Sequence, residues 1–169
     1  MRGQTSTSSI IAILVIIILL GAGAWWYFSS PANTIPTTQQ TNPAEEQAVR
    51  ATVTNFGKQL QMVSLTASST AIASAVAQYY APYVTPELLS QWQSTPSSSP
   101  GRLTSSPWPD RINISSVNKN SDGTYSVLGS IAEVTSVEAQ NGGTADTYPV
   151  SLDLENRNGT WLISDFSRE

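Results

Sequence analysis

Glu133 and Asp110 are the carboxylates that stand nearest, in sequence or in strand alternation, to apolar and aromatic residues, and they set the chemistry this chain can offer. Either could serve as a general base with Tyr79, Tyr80 or Tyr125 as the acid, provided that an apolar pocket lifts the carboxyl towards neutrality. Glu133 shares its side of an alternating run with Val127, Gly129 and Ile131, so it turns inward if that side is buried. The competing reading is an exposed or ion-paired strand glutamate. Tyr79, Tyr80, Tyr83, Trp92 and Trp108 fall within thirty residues, beside a Pro/Ser-rich stretch. Such rings bury large areas with few rotatable bonds, which suits a groove for a peptide or glycan, or equally a packed core. Prolines on both sides of Trp108 hold it in extended backbone. The candidate ligand or partner surface is thus Tyr79, Tyr80, Tyr83, Trp92, Trp108, Asp110 and Glu133.

Two absences narrow the field further. The chain has no histidine and no cysteine, the residues that supply most proton transfer at neutral pH, thiolate chemistry and zinc ligation. Disulfides, zinc sites and Ser-His-Asp or Cys-His catalysis are excluded, and no metal-ligating or cofactor-binding pattern is present. Binding is favoured over catalysis. All twelve acidic residues and seven of the eight basic ones follow residue 28, which leaves that part with five net negative charges. An acidic surface repels phosphate backbones and argues against nucleic acid as a partner.

The elements that must position these residues begin with a lipid-suited segment. Residues 10–28 carry no charge and as a helix would span about 28 Å, enough for a bilayer core. Arg2 precedes the segment and no Lys or Arg follows it before Arg50. This charge bias places residues 1–9 in the cytoplasm and the rest outside it. The same residues fit a cleaved signal peptide, with Ala22-Gly23-Ala24 as the cleavage site. Trp25-Trp26-Tyr27-Phe28 suits a headgroup interface and favours a retained anchor. A prepilin helix fits less well, because the apolar stretch lacks an acid and Pro31 and Pro36 interrupt it. Residues 29–42, rich in Ser, Thr, Gln, Asn and Pro, read as a flexible linker.

Residues 43–169 read as one α+β domain. A first helix starts with Asn42 as N-cap and Pro43 at its first position, and it carries Val49, Val53, Phe56, Leu60 and Val63 on one face. A second covers Ser69–Tyr80, with Ala71, Ile72, Ala75, Val76 and Tyr79 as its stripe. A third is signalled by Thr85, Pro86 and Glu87, ahead of Leu88, Leu89 and Trp92. Ser94–Pro109 reads as a long loop, of a length that is often functional. Four strands follow: one from Arg111, one over Tyr125–Val137, one around Val150–Glu155 and one over Thr160–Phe166. Turns at Asp122-Gly123, Gly142-Gly143 and Asn158-Gly159 join them as an antiparallel meander. Trp161 and Ile163 share a face opposite Leu162, and either face could be the buried one.

Helices followed by such a meander resemble the cone-shaped α+β superfamily named after nuclear transport factor two. Asn158-Gly159-Thr160-Trp161-Leu162-Ile163 is similar to the Gly-x-Trp-hydrophobic-Ile ending of bacterial members. Tyr80-Ala81-Pro82-Tyr83-Val84-Thr85-Pro86-Glu87-Leu88-Leu89 and Ser106-Pro107-Trp108-Pro109-Asp110-Arg111-Ile112 resemble a bacterial envelope-protein family. By architecture alone, an anchor plus such a domain is similar to single-pass assembly components of type IV secretion and conjugation machines. The anchor, the linker and the missing catalytic side chains point to a membrane-anchored envelope domain that binds a protein partner in the envelope, as part of a secretion or conjugation assembly, or a second copy of itself. The alternative is a small-ligand-binding or isomerase-like cavity domain.

Overall fold

The computed structural model describes residues 42–168. The expected membrane segment and most of the linker lie outside them, and no helix among the described residues is long and apolar enough to cross a membrane. The helix α1 (Pro43–Gln59) is capped by Asn42, whose side chain accepts from the Ala44 amide, and a 3-10 turn at Leu60–Met62 continues it. Next come α2 (Ser69–Tyr80), α3 (Pro86–Ser94) and a second 3-10 turn at Pro96–Ser98. The strands β1 (Trp108–Lys119), β2 (Tyr125–Val134), β3 (Asp146–Arg157) and β4 (Thr160–Arg168) pair in sequence order, all antiparallel. A fourth helix, α4 (Ser136–Asn141), lies between β2 and β3.

The α+β class and the four-stranded meander are as expected. The helix count is not, because four α-helices are present among the described residues, where about three are expected for the domain. β2 ends at Val134 instead of Val137, because Thr135 starts a helix there: its Oγ1 accepts from the Val137 amide while the Glu138 carboxylate accepts from the Thr135 amide. β1 starts three residues before Arg111, so Trp108 belongs to the sheet and not to the preceding loop.

The helices cover one face of the sheet, and the core lies between. Val49, Val53, Phe56 and Leu60 from α1 and its extension meet Tyr125, Val127, Leu152, Leu154 and Ile163 from the strands, all inaccessible to solvent or nearly so. The buried face of β4 is therefore the one carrying Trp161 and Ile163. A Cβ added at Gly57 would stand 2.7 Å from the Ile112 amide nitrogen, so this glycine lets α1 lie directly against β1. The Asn158-Gly159 turn has positive φ at both residues (55° and 87°), as a two-residue hairpin requires. At the sheet's outer rim Ile163 exchanges hydrogen bonds with Tyr83 and Thr85, so Val84 forms a one-residue parallel bridge to β4.

Three register shifts, at Asp110 and Ser115 on β1 and at Ser164 on β4, decide which side chains reach the inner face. On β1, Pro109 pairs with Glu133 and Arg111 with Ala132, which leaves Asp110 as an extra residue. On β4, Ile163 pairs with Leu154 and Asp165 with Asp153, so Ser164 is extra. Such bulges reverse the alternation beyond them. Phe166 and Arg168 consequently join Trp161 and Ile163 on the inner face, opposite Leu152 and Val150.

Candidate functional site

At the end of the inner face where β2 stops, the helices no longer cover the sheet and a cavity of about 250 Å³ remains. Ile131 and Glu133 from β2, Phe166 and Arg168 from β4 and Pro109 from β1 line its sheet side. Leu65 and the segment Ser97–Gly101, with Leu103, form the opposite wall. The volume is near that of eight liquid waters at about 30 Å³ each, and it falls below the range of about 300–1,000 Å³ usual for drug-sized ligands.

The Pro/Ser segment is held in place as a wall. The Tyr80 hydroxyl, buried, donates to the Pro100 carbonyl at 2.7 Å. Arg102 and Ser64 add a short parallel bridge, with the Arg102 amide on the Val63 carbonyl and the Leu65 amide on the Arg102 carbonyl, each at 2.8 Å. Gly101 is required there, because a Cβ would stand 2.6 Å from the Val63 oxygen. Behind the wall, Phe56 stacks on Trp92 at 6.2 Å between centroids and meets Tyr80 edge-on at 5.0 Å, and Phe166 touches both Phe56 and Trp92. Burial raises the Tyr80 hydroxyl's pKa far above the ordinary tyrosine value, so it stays a neutral donor.

Charge enters the cavity from two strands. Desolvation lifts the Glu133 carboxyl above its ordinary value; the Arg168 guanidinium opposes that rise and Asp146, its cross-strand partner, adds to it. Arg168 lies over the Tyr148 ring, 4.3 Å from its centroid. Tyr148 donates to Asp146 at 3.1 Å, and that bond together with the negative charge of Glu133 raises the Tyr148 pKa. Arg168 and Glu133 are not an ion pair: among the described residues the pairs are Arg50–Glu46, Arg111–Asp110, Lys119–Glu45, and Arg157 with Glu87 and Glu155.

The seven residues singled out from sequence are not gathered at one surface. Glu133 alone among them lines the cavity. Tyr80 and Trp92 are core, and Tyr79 and Tyr83 pack half-buried against it. Trp108 pairs with Val134 and shares that residue's outer face of the sheet. Asp110 sits in the β1 bulge and binds Arg111 at 2.7 Å. Of the tyrosines expected to partner Glu133, Tyr80 holds Pro100, Tyr125 donates to Glu45 at 3.2 Å at the far end of the sheet, and Tyr79 packs half-buried against the core. The residues that sequence reasoning missed are Arg168, Phe166, Tyr148 and the serines 97–99. A bulge hides the first two, because plain alternation from Ile163 turns them outward.

No family model, curated protein or solved structure matches this chain. The functional reading therefore rests on the residues themselves. Among the described residues no group of acidic side chains is arranged to hold a metal ion. What the arrangement offers is a small, partly apolar cavity with one carboxylate whose proton affinity is raised and one cation fixed on an aromatic face.

Proposed function

We propose that this chain is a single-pass membrane protein, anchored through residues 10–28, whose extracytoplasmic α+β domain acts by binding a small ligand at the open end of its sheet. The cavity bearing Glu133 and Arg168 carries this reading. A binding role is supported over proton transfer because the nearby Tyr148 hydroxyl, although close enough to act on Glu133, donates its proton to Asp146 at 3.1 Å. The ligand role ranks above the protein-interaction role that composition suggests. Leu128, an exposed large apolar residue on the sheet's outer face, is flanked across the strands by Ser116 and Ser151, and isolated apolar residues of this kind are ordinary surface. Helices before a curved meander with one open end also support the resemblance to the cone-shaped superfamily and to bacterial envelope proteins.

Two measurements test the proposal. The chain has no native cysteine, so Ser6→Cys and Thr38→Cys can be labelled singly with a membrane-impermeant maleimide in intact cells. Labelling of Thr38→Cys alone is expected; the reverse pattern, or labelled protein free in the medium, overturns the anchored topology. For the cavity, a fragment library is screened by ligand-observed NMR on the full chain in nanodiscs. Hits that disappear in Ser97→Trp, which fills the cavity from its exposed wall, support ligand binding. Hits that persist in that variant, or no hits at all, overturn it.

A further inference from the structure

We infer that the cavity takes a small amphoteric molecule, with an ammonium group seated on Glu133 and a carboxylate or other acid group on Arg168. This rests on the proposed ligand-binding role and specifies its chemistry. Three observations lead to it. Opposite charges line one cavity from β2 and β4 without touching each other, although both belong to flexible side chains that could meet. Standard strand spacing puts their backbones about 10 Å apart across the sheet, and the four-residue register offset between Asp146 and Val150 adds about 13 Å along it. The Arg168 guanidinium is also held over the Tyr148 ring.

The second observation concerns what each group lacks. Among the described residues Arg168 makes no ion pair and Glu133 receives none, while the carboxylate is partly removed from water. A partly desolvated carboxylate is stabilised when a cation takes its place in solvation, and a guanidinium presents donors in a fork suited to an acid group. The third is the wall between them. Ile131, Phe166, Leu65 and Leu103 offer apolar contact to a short methylene chain joining the two charged ends, within a volume of about 250 Å³. A free cation would leave Arg168 unused, and a free anion would face Glu133.

The test titrates the full chain, in nanodiscs made only of phosphatidylglycerol, with β-alanine, 4-aminobutyrate, 5-aminopentanoate and 6-aminohexanoate. Hexanoate and hexylamine serve as singly charged controls and hexanamide as the neutral one. The expected result is an affinity that peaks at one chain length and exceeds the singly charged and neutral controls by about tenfold or more, as charged hydrogen bonds allow. Glu133→Gln should lower amino-acid affinity while leaving hexanoate bound as well or better, and Arg168→Gln should lower it while leaving hexylamine bound as well or better. Retained binding of these controls also shows that each variant is folded. Equal binding of hexanamide and 6-aminohexanoate overturns the amphoteric inference but leaves the ligand role standing. Affinity that only rises with methylene number has the same meaning. Failure of every probe in this series also sinks the inference; the ligand role falls only if the fragment screen fails too. Adding phosphatidylethanolamine to the discs asks whether a lipid headgroup is the source of the same chemistry: competition assigns the ligand to the bilayer, and its absence assigns a free molecule.

Discussion

The two ends of the sheet's inner face are made by the same alternating strands, yet one is sealed and the other is open. At the sealed end Tyr125 and Trp161 meet edge-on at 5.0 Å, and Lys119, Glu45 and the Tyr125 hydroxyl close over them through bonds of 2.7 and 3.2 Å. There the charges satisfy one another: the Lys119 ammonium holds the Glu45 carboxyl below its ordinary value, and Glu45 in turn raises Lys119. At the open end Glu133 and Arg168 share a cavity and stay apart, and burial pushes Glu133 the other way. A carboxylate in an ion pair and one outside any ion pair among the described residues thus differ in the direction of their shift. What separates them is helix coverage, since α1 crosses β1 tightly at Gly57 but does not reach the end of β2.

The contrast can be broken most severely through the aromatic layer between the ends. Trp92→Ala removes a ring that is 2 % exposed and touches Phe56, Tyr80 and Phe166, and it should cost about 3–5 kcal/mol in denaturant unfolding. Gly57→Ala comes next. Its methyl carbon would lie 2.7 Å from the Ile112 backbone nitrogen, and the forced shift of α1 should cost about 1–3 kcal/mol. An unchanged midpoint would show that α1 can retreat freely. Tyr80→Phe keeps the ring but leaves the Pro100 carbonyl without its donor, a loss of about 1–3 kcal/mol. It should also speed hydrogen exchange of the Arg102 amide while leaving that of the Ile131 amide unchanged.

The smallest effect sharpens the comparison. Glu133 has its folded-state pKa raised, so its contribution favours the folded state most at low pH and is lost as pH rises through that raised value. Near pH 7, Glu133→Gln should therefore be as stable as the natural chain or more so, by up to about 0.5 kcal/mol. The difference should vanish as pH falls below about 4. Glu45→Gln should show the opposite trend, with a deficit at neutral pH that shrinks as pH falls through its lowered pKa. If both variants titrated in the same direction, the two ends would not differ as described.

Much of the fold is legible from local signals. Asn42 with Pro43 and Thr85 with Pro86 begin helices where their capping chemistry indicates, and the Asn158-Gly159 hairpin forms as its tolerance of positive φ indicates. The fourth helix also had a signal, Thr135-Ser136-Val137-Glu138, which fits the capping-box spacing but lies inside an apparent strand. On α2 the apolar pattern puts Tyr79 in the stripe, whereas the steps of four from Ile72 through Val76 bury Tyr80. The site was half legible. Glu133 follows from period-two alternation, but Phe166 and Arg168 depend on Ser164 being skipped by its partner strand. A bulge is a property of two strands in register, and a single strand read alone does not contain it.

The bridge from Val84 to Ile163 has a consequence for how these molecules behave when crowded. It occupies the free rim of the last strand at Ile163, and beyond that point only five residues remain before the strand ends, the first of them Ser164. The opposite rim is broken at Asp110 and Ser115. Neither margin offers a long, flat run to a neighbour, so many copies can gather at high density without zippering into fibres.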